Sequence, residues 1–250
     1  MRRPLVVGNW KMNGRSASVA RLLNDILAGI GDCKAEVGVC VPFVYIPQAS
    51  EILKGTKVML GAQNVADHNS GAFTGEISAG MLREFGCELA IVGHSERRLL
   101  YGESNELVAS RYEQAIQGHL KPILCVGETL EQREQGRTLA VIGAQIDTVF
   151  EFAGVQSLEH AVIAYEPVWA VGTGRSATTG QAQEVHYHIR SLIARWNPEV
   201  AQAVQIIYGG SVKPENSAEL FAMPDIDGGL IGGASLDARA FLSICHSVSV

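Results

Sequence analysis

Residues 161–167 read AVIAYEP, an unbroken apolar run that ends on a carboxylate, Glu166, and stops at Pro167. Hydrophobicity that continues on both sides of so short a run marks a strand covered on both faces, as the strands of parallel sheets are. Seven other runs have the same form: PLVVGNW from residue 4, EVGVCVP from 36, KVMLGAQ from 57, ELAIVGH from 88, KPILCVG from 121, VQIIYGG from 204 and GGLIGGA from 228. Their starts are spaced by about 32 residues on average, the length of one βαβ unit.

Stretches of helical period fill the intervals. Val19, Leu22, Leu23, Ile26, Leu27 and Ile30 follow Ser16, the expected cap; Leu107, Val108, Tyr112, Ala115 and Ile116 follow Ser104 and end at Gly118. Val185, Ile189, Leu192, Ile193 and Trp196 form a third stripe, stopped by Asn197 and Pro198. Eight βα units thus follow one another over residues 1–250, with no linker or change of composition to mark a second domain. An open doubly wound sheet would gather its ligand residues at one switch point. Here polar or glycine-rich residues follow nearly every strand: Asn9 and Lys11, Gln63 and Asn64, His94, Glu128, Glu166, Ser211, and Gly232 with Gly233. A closed ring brings those ends together. The reading is α/β, a single-domain (β/α)8 TIM barrel with its functional groups on the loops that leave the strands.

The composition is that of a globular chain able to bury a sizeable core: 47% hydrophobic, 18% charged, with 27 glycines against 8 prolines, which excludes disorder. A net charge of −6, with no run of Lys or Arg longer than two, argues against nucleic-acid and anionic-membrane surfaces. An anionic ligand must then be held by local groups. The five cysteines, Cys33, Cys40, Cys87, Cys125 and Cys245, are odd in number and lack CxxC spacing. They read as reduced thiols of a cytoplasmic protein, with neither disulfide nor metal expected. The opening MRRPLVVGNWKMN has an apolar run too short for a signal peptide, and no segment is expected to span a membrane.

Pro167 disfavours helical angles at Glu166 and holds its carboxylate in an extended pose. The apolar neighbours Ile163, Tyr165 and Trp169 are expected to raise its pKa, suiting it to take and return a proton; a strand-end acid in a salt bridge is the plainer alternative. His94 precedes SERR, a helix start with Ser95 as its expected cap. Facing the positive end of a helix, the imidazole should stay neutral and donate a hydrogen bond; a core histidine satisfying its neighbours is the alternative. Lys11 would ordinarily be solvated, yet Asn9 and Lys11 alternate with Trp10 and share a direction, which can be the barrel mouth. Three glycine-rich turns, AVGTGR, YGGSV and IGGASL, follow strands six, seven and eight. There, backbone N–H groups and a short helix after Gly233 can meet a phosphate.

Two decoys fall away. GTGRSA at 172–177 matches a dinucleotide fingerprint, but no strand precedes it directly and no acid ends the next strand. His186 and His188 lie two apart on a helix, hence on different faces, and HSER lacks the flanking glycine of a nucleophile elbow, so neither zinc nor acyl transfer is indicated.

In order along the chain, GNWKMN at 8, GAQNV at 61, GAFTGEIS at 71, VGHSERR at 92, CVGE at 125, AYEPVWAVGTGR at 164, YGGSV at 208 and IGGASL at 231 form a set. This set resembles the bacterial triosephosphate isomerases over essentially the whole chain. The resemblance implies a cofactor-free, metal-free interconversion of dihydroxyacetone phosphate and D-glyceraldehyde 3-phosphate through an enediol(ate), in glycolysis and gluconeogenesis. It implies Glu166 as proton acceptor, His94 as electrophile and Lys11 as a positive charge, with Asn9 and Lys11 touching substrate. Main-chain groups at Gly172, Ser211, Gly232 and Gly233 would hold the phosphate, and Ser95, Glu96 and Cys125 would support. A glutamate base beside a neutral histidine, and a closing loop, are known features of that family rather than deductions from these residues.

By the same resemblance AVGTG, 170–174, is a cover, Gly172 binding phosphate while Ala170 and Val171 exclude water. NVADHNSGAFTGEIS, 64–78, is long for a barrel loop and resembles the interdigitating loop of a homodimer, with Phe73 and Thr74 in it and Thr74 approaching the partner's active site. Arg175 and Ser176 stand where the family often has Lys and Thr, and GGLIGG replaces GALVGG; neither departure touches a chemical group. Two rival readings stay open: another cofactor-free sugar-phosphate enzyme on the same barrel, and a catalytically silent phosphate sensor. A sensor has no use for Glu166, His94 and Lys11 together.

Overall fold

The computed structural model describes residues 2–170 and 177–248. Eight strands, β1 (Leu5–Asn9), β2 (Glu36–Val41), β3 (Val58–Ala62), β4 (Cys87–Val92), β5 (Lys121–Val126), β6 (Val162–Tyr165), β7 (Gln205–Tyr208) and β8 (Gly228–Ile231), pair in chain order and close into a barrel. All pairings are parallel, including the closing one, in which Leu5 lies opposite Gly228. Each strand falls, to within one residue, inside the apolar run expected for it, because each is covered on both faces.

The helices among the described residues are α1 (Ser16–Ile30), α2 (Ile46–Leu53), α3 (Ala79–Glu84), α4 (Ser95–Tyr101), α5 (Asn105–Gln117), α6 (Leu130–Glu134), α7 (Thr138–Ala153), α8 (Thr179–Trp196), α9 (Pro198–Ala203), α10 (Pro214–Phe221) and α11 (Ala238–His246). Ser104 caps α5 by accepting the Leu107 N–H, and α8 stops at Asn197, whose side chain then caps α9. The cap expected at Ser16 lies elsewhere. Arg15 holds the cap position, and its N–H donates to the Ser18 hydroxyl, so Ser16 is already helical.

Alternation along the strands divides the core in two. Leu5, Val7, Leu89, Ile91, Ile123, Val162, Ala164, Ile207 and Leu230 fill the barrel interior. Val6, Val39, Ala90, Leu124, Ile163 and Ile206 point outward against Leu23, Ile26, Val108, Ile146, Ile189 and Phe241 of the helical ring. Each such side chain, fully buried, contributes about 1.5–3 kcal/mol of transfer free energy. The filled interior leaves the strand ends as the place where polar groups converge.

Candidate active site

In β6, Val162 and Ala164 face the interior, so Glu166, two residues further on, continues in the same direction. The strand pairing persists past the labelled ends: the Glu166 N–H donates to Val126 O (2.8 Å) and the Gly209 N–H to Tyr165 O (2.7 Å). A side chain at Gly209 would put its Cβ 2.8 Å from Glu166 Cγ, so only glycine lets the end of β7 run beside the carboxylate. Glu166 is 2% exposed. Its Oε1 lies 2.9 Å from His94 Nε2, and its Oε2 accepts the Ser95 N–H at 2.8 Å.

His94, rather than Ser95, occupies the cap position of α4. The reason is chemical: the ring Nδ1 accepts the Glu96 N–H (3.2 Å), doing what a cap hydroxyl would do, while Ser95 becomes the first helical residue and spends its own N–H on Glu166. Burial opposes charge on the ring, and the Glu166 carboxylate favours it strongly enough that the His94 pKa lies above that of a free imidazole. Charging the ring would nevertheless place a proton on Nδ1, whose lone pair the Glu96 N–H already holds. The geometry therefore assigns a neutral ring with its proton on Nε2, directed at Glu166.

The expectation of a raised Glu166 pKa needs correction. Burial does push the carboxyl upward, but the His94 ring, the Ser95 N–H and the Lys11 charge outweigh it and hold the group below the ordinary carboxylate range. The apolar neighbours in sequence are not its neighbours in space: Ile163 and Tyr165 point to the outer layer.

Lys11 follows β1 in a left-handed conformation (φ 50°), unusual for a residue with a side chain. Its N–H donates to Asn9 Oδ1 (3.0 Å), and the Gln63 amide donates to both Lys11 O and Cys40 O at 2.9 Å. Its Nζ pairs with Glu96 Oε1, and Glu96 Oε2 lies 3.7 Å from His94 Nδ1, so one acid ties the lysine to the histidine's helix. Gln63 was legible only as a polar residue at a strand end; its role as a backbone clamp depends on two carbonyls distant in sequence.

Asn9, Lys11, His94, Glu166, Ser211, Gly232 and Gly233 all line one cavity of about 400 Å³ at the C-terminal ends of the strands. The short helix expected after Gly233 is a 3-10 turn, Gly233–Leu236, stabilised by the Ser235 hydroxyl donating to Gly232 O (2.6 Å). Gly172, with Val171, Arg175 and Ser176, lies outside the described residues. Cys125 is buried on β5 in reach of Glu166, and burial together with that carboxylate keeps it a thiol.

Glu128 carries the same sequence signal as Glu166, an acid just past an apolar strand, and is brought elsewhere. It is fully buried and accepts from Tyr165 Oη (3.2 Å), Trp169 Nε1 (2.9 Å) and Arg133 Nη1 (3.1 Å), anchoring the 3-10 turn Val168–Ala170.

The long segment after β3 carries Phe73 stacked on His68 (centroids 3.8 Å apart), with Thr74 exposed beside it. Large apolar side chains stand exposed on the loops and helices that follow β1 to β4, four consecutive strands: Met12 (96%), Val44 (78%), Met81, Phe85, Leu100 (74%) and Tyr101 (70%). Among the described residues no His, Cys, Asp and Glu side chains are grouped so as to hold a metal ion, and no helix is long and apolar enough to cross a membrane.

The family profile described as "Triosephosphate isomerase" matches residues 4–248. The chain is 56% identical over 247 residues to the "Triosephosphate isomerase" of Nitrosomonas eutropha, covering 98% of each sequence. It is likewise 56% identical to that of Nitrosococcus oceani, with 99% of each covered, and 51% identical to that of Dechloromonas aromatica over the full length of both.

Proposed function

The chain belongs to the triosephosphate isomerase family, and from that premise we propose how its site works, with Glu166 as the base and His94 and Lys11 as the groups that meet the developing charge. The reaction interconverts dihydroxyacetone phosphate and D-glyceraldehyde 3-phosphate, the aldose–ketose step of glycolysis and gluconeogenesis. The observation that carries the assignment is the 2.9 Å approach of His94 Nε2 to Glu166 Oε1 at the mouth of a cavity that Lys11 and the Gly232–Gly233 turn also line.

Removing a proton from the carbon next to a carbonyl leaves charge on oxygen, so the site needs an ionised base at the carbons and donors aimed at the oxygens. The depressed pKa of Glu166 keeps it ionised. Both its oxygens are already occupied, by His94 and by the Ser95 N–H, so reaching a substrate carbon requires it to give up the Ser95 bond. A neutral His94 offers its Nε2 proton to the substrate oxygens in turn, and Lys11 supplies the cation. Ser211, Gly232 and Gly233 present main-chain groups to the phosphate, with Gly172 assigned to the same task. Exclusion of water from the site would strengthen each of these interactions and shield an intermediate prone to lose its phosphate.

The exposed apolar side chains after β1 to β4, together with the Phe73–Thr74 segment that lies between β3 and β4, support a homodimer built on that side of the barrel rim. The five free cysteines support a reducing, cytoplasmic setting. We further take the barrel over 1–250 as one domain. A coupled assay with dihydroxyacetone phosphate in the presence of a chelator tests the activity. Turnover is expected, whereas binding without turnover would select the sensor reading and no binding would reject both.

A further inference from the structure

Beside the His94–Glu166 pair sits a charged group to which the chemistry above gives no task. Arg98, in the last turn of α4, engages three acceptors: Nε donates to Gly93 O (2.8 Å), Nη1 to Asn105 Oδ1 (2.8 Å) and Nη2 to Cys125 O (3.3 Å). Two of these belong to the frame of the site. Gly93 immediately precedes His94, and Cys125 is the β5 residue whose thiol lies in reach of Glu166. Gly93 has φ 69°, and a Cβ there would stand 3.0 Å from Arg98 Nη2 and 2.7 Å from Val108 Cγ1. The turn and the guanidinium are fitted to one another.

All three acceptors are neutral. The nearby acid Glu103 is taken by Arg97 (2.6 Å) and Arg111 (3.1 Å), so among the described residues the guanidinium is held by these three hydrogen bonds with no contacting carboxylate.

We propose that Arg98 is a positioning residue for the isomerisation: it ties the turn that carries His94 to the end of β5 and so sets where the imidazole meets Glu166. This rests on the reading of Glu166 as the base and His94 as its partner.

The test compares Arg98→Gln and Arg98→Lys with the wild-type chain in steady-state assays on dihydroxyacetone phosphate, with folding checked by circular dichroism. Arg98→Gln is expected to lose about 10- to 100-fold in kcat with KM within about threefold. Arg98→Lys, which keeps the charge, should also lose kcat, because an ammonium cannot make the three-way fork. A folded Arg98→Gln with wild-type kcat, whatever its KM, overturns the proposal. Should Arg98→Gln not fold, Arg98→Lys decides alone: reduced kcat with KM little changed supports the role, and wild-type kcat refutes it. An inactive wild-type chain would instead reject the base assignment, which keeps the two failures distinct.

Discussion

His94 Nε2 lies 2.9 Å from Glu166 Oε1 although the two residues leave different, non-adjacent strands, β4 and β6. Each is held by something other than its partner: His94 by the Glu96 N–H at its far nitrogen, Glu166 by the Ser95 N–H. The first two N–H groups of one short helix therefore orient both members of the pair, and a shift of α4 would misplace imidazole and carboxylate together.

Shortening Glu166 while keeping its charge isolates distance from electrostatics. Glu166→Asp withdraws the carboxylate by one methylene, and kcat is expected to fall by roughly a hundredfold, since reacting groups must meet within a few tenths of an ångström. Steady-state kinetics on either triose phosphate read this directly. Unchanged turnover would remove Glu166 from the base role.

Replacing the imidazole asks whether its work is in binding or in the chemical step. For His94→Gln the expected loss in kcat is about 10² to 10⁴, within the range for acid–base groups, with KM little changed. Retained kcat with collapsed binding would make His94 a binding residue.

Gln63 holds the Lys11 carbonyl and the Cys40 carbonyl at once, and Lys11 has the left-handed backbone that such a clamp must pay for, on the order of 1–3 kcal/mol. Gln63→Ala frees that backbone and lets the lysine drift from the cavity. KM is expected to rise about tenfold while the circular dichroism spectrum stays that of the wild type. A wild-type KM would show that Lys11 is placed by Glu96 and Asn9 alone.

Acid stability has an identifiable contributor away from the site. His186 is fully buried on α8 with Nδ1 3.2 Å from Asp225 O, and burial, reinforced by Arg190, pushes its pKa down to about 4. The folded form thus disfavours the proton that the unfolded chain accepts near pH 6.5. The stabilisation is complete above that value and is lost as pH falls from about 6.5 toward 4. Urea unfolding at pH 7 and pH 5 should show the wild type losing about 2 kcal/mol more than His186→Gln over that interval. Equal losses would exclude His186 as a source of the pH dependence.

The barrel was legible because its physical requirement is local. A strand buried on both faces must be apolar at every position, and eight such runs at βαβ spacing leave few arrangements. Most helix ends were legible for the same reason, since Ser104, Gly118 and Asn197 act on backbone groups within a few residues. His94 was misjudged as a neighbour of its cap because an imidazole nitrogen can take the cap role itself.

Residue types and spacing alone determined the eightfold βα order, the end of the strands at which chemistry gathers, and a short roster of polar groups there. Tertiary structure decided which of them share a site. Glu128 and Glu166 look alike along the chain, yet Glu166 keeps step with the inward Val162 and Ala164, while Glu128 falls in step with the outward Leu124 and Val126 and is consumed by Tyr165, Trp169 and Arg133. The depressed pKa of Glu166, the tautomer of His94, the clamp of Gln63 and the reach of Arg98 all depend on groups contributed by other strands. Electrostatics and hydrogen bonding act through space, and only the closed ring sets those distances.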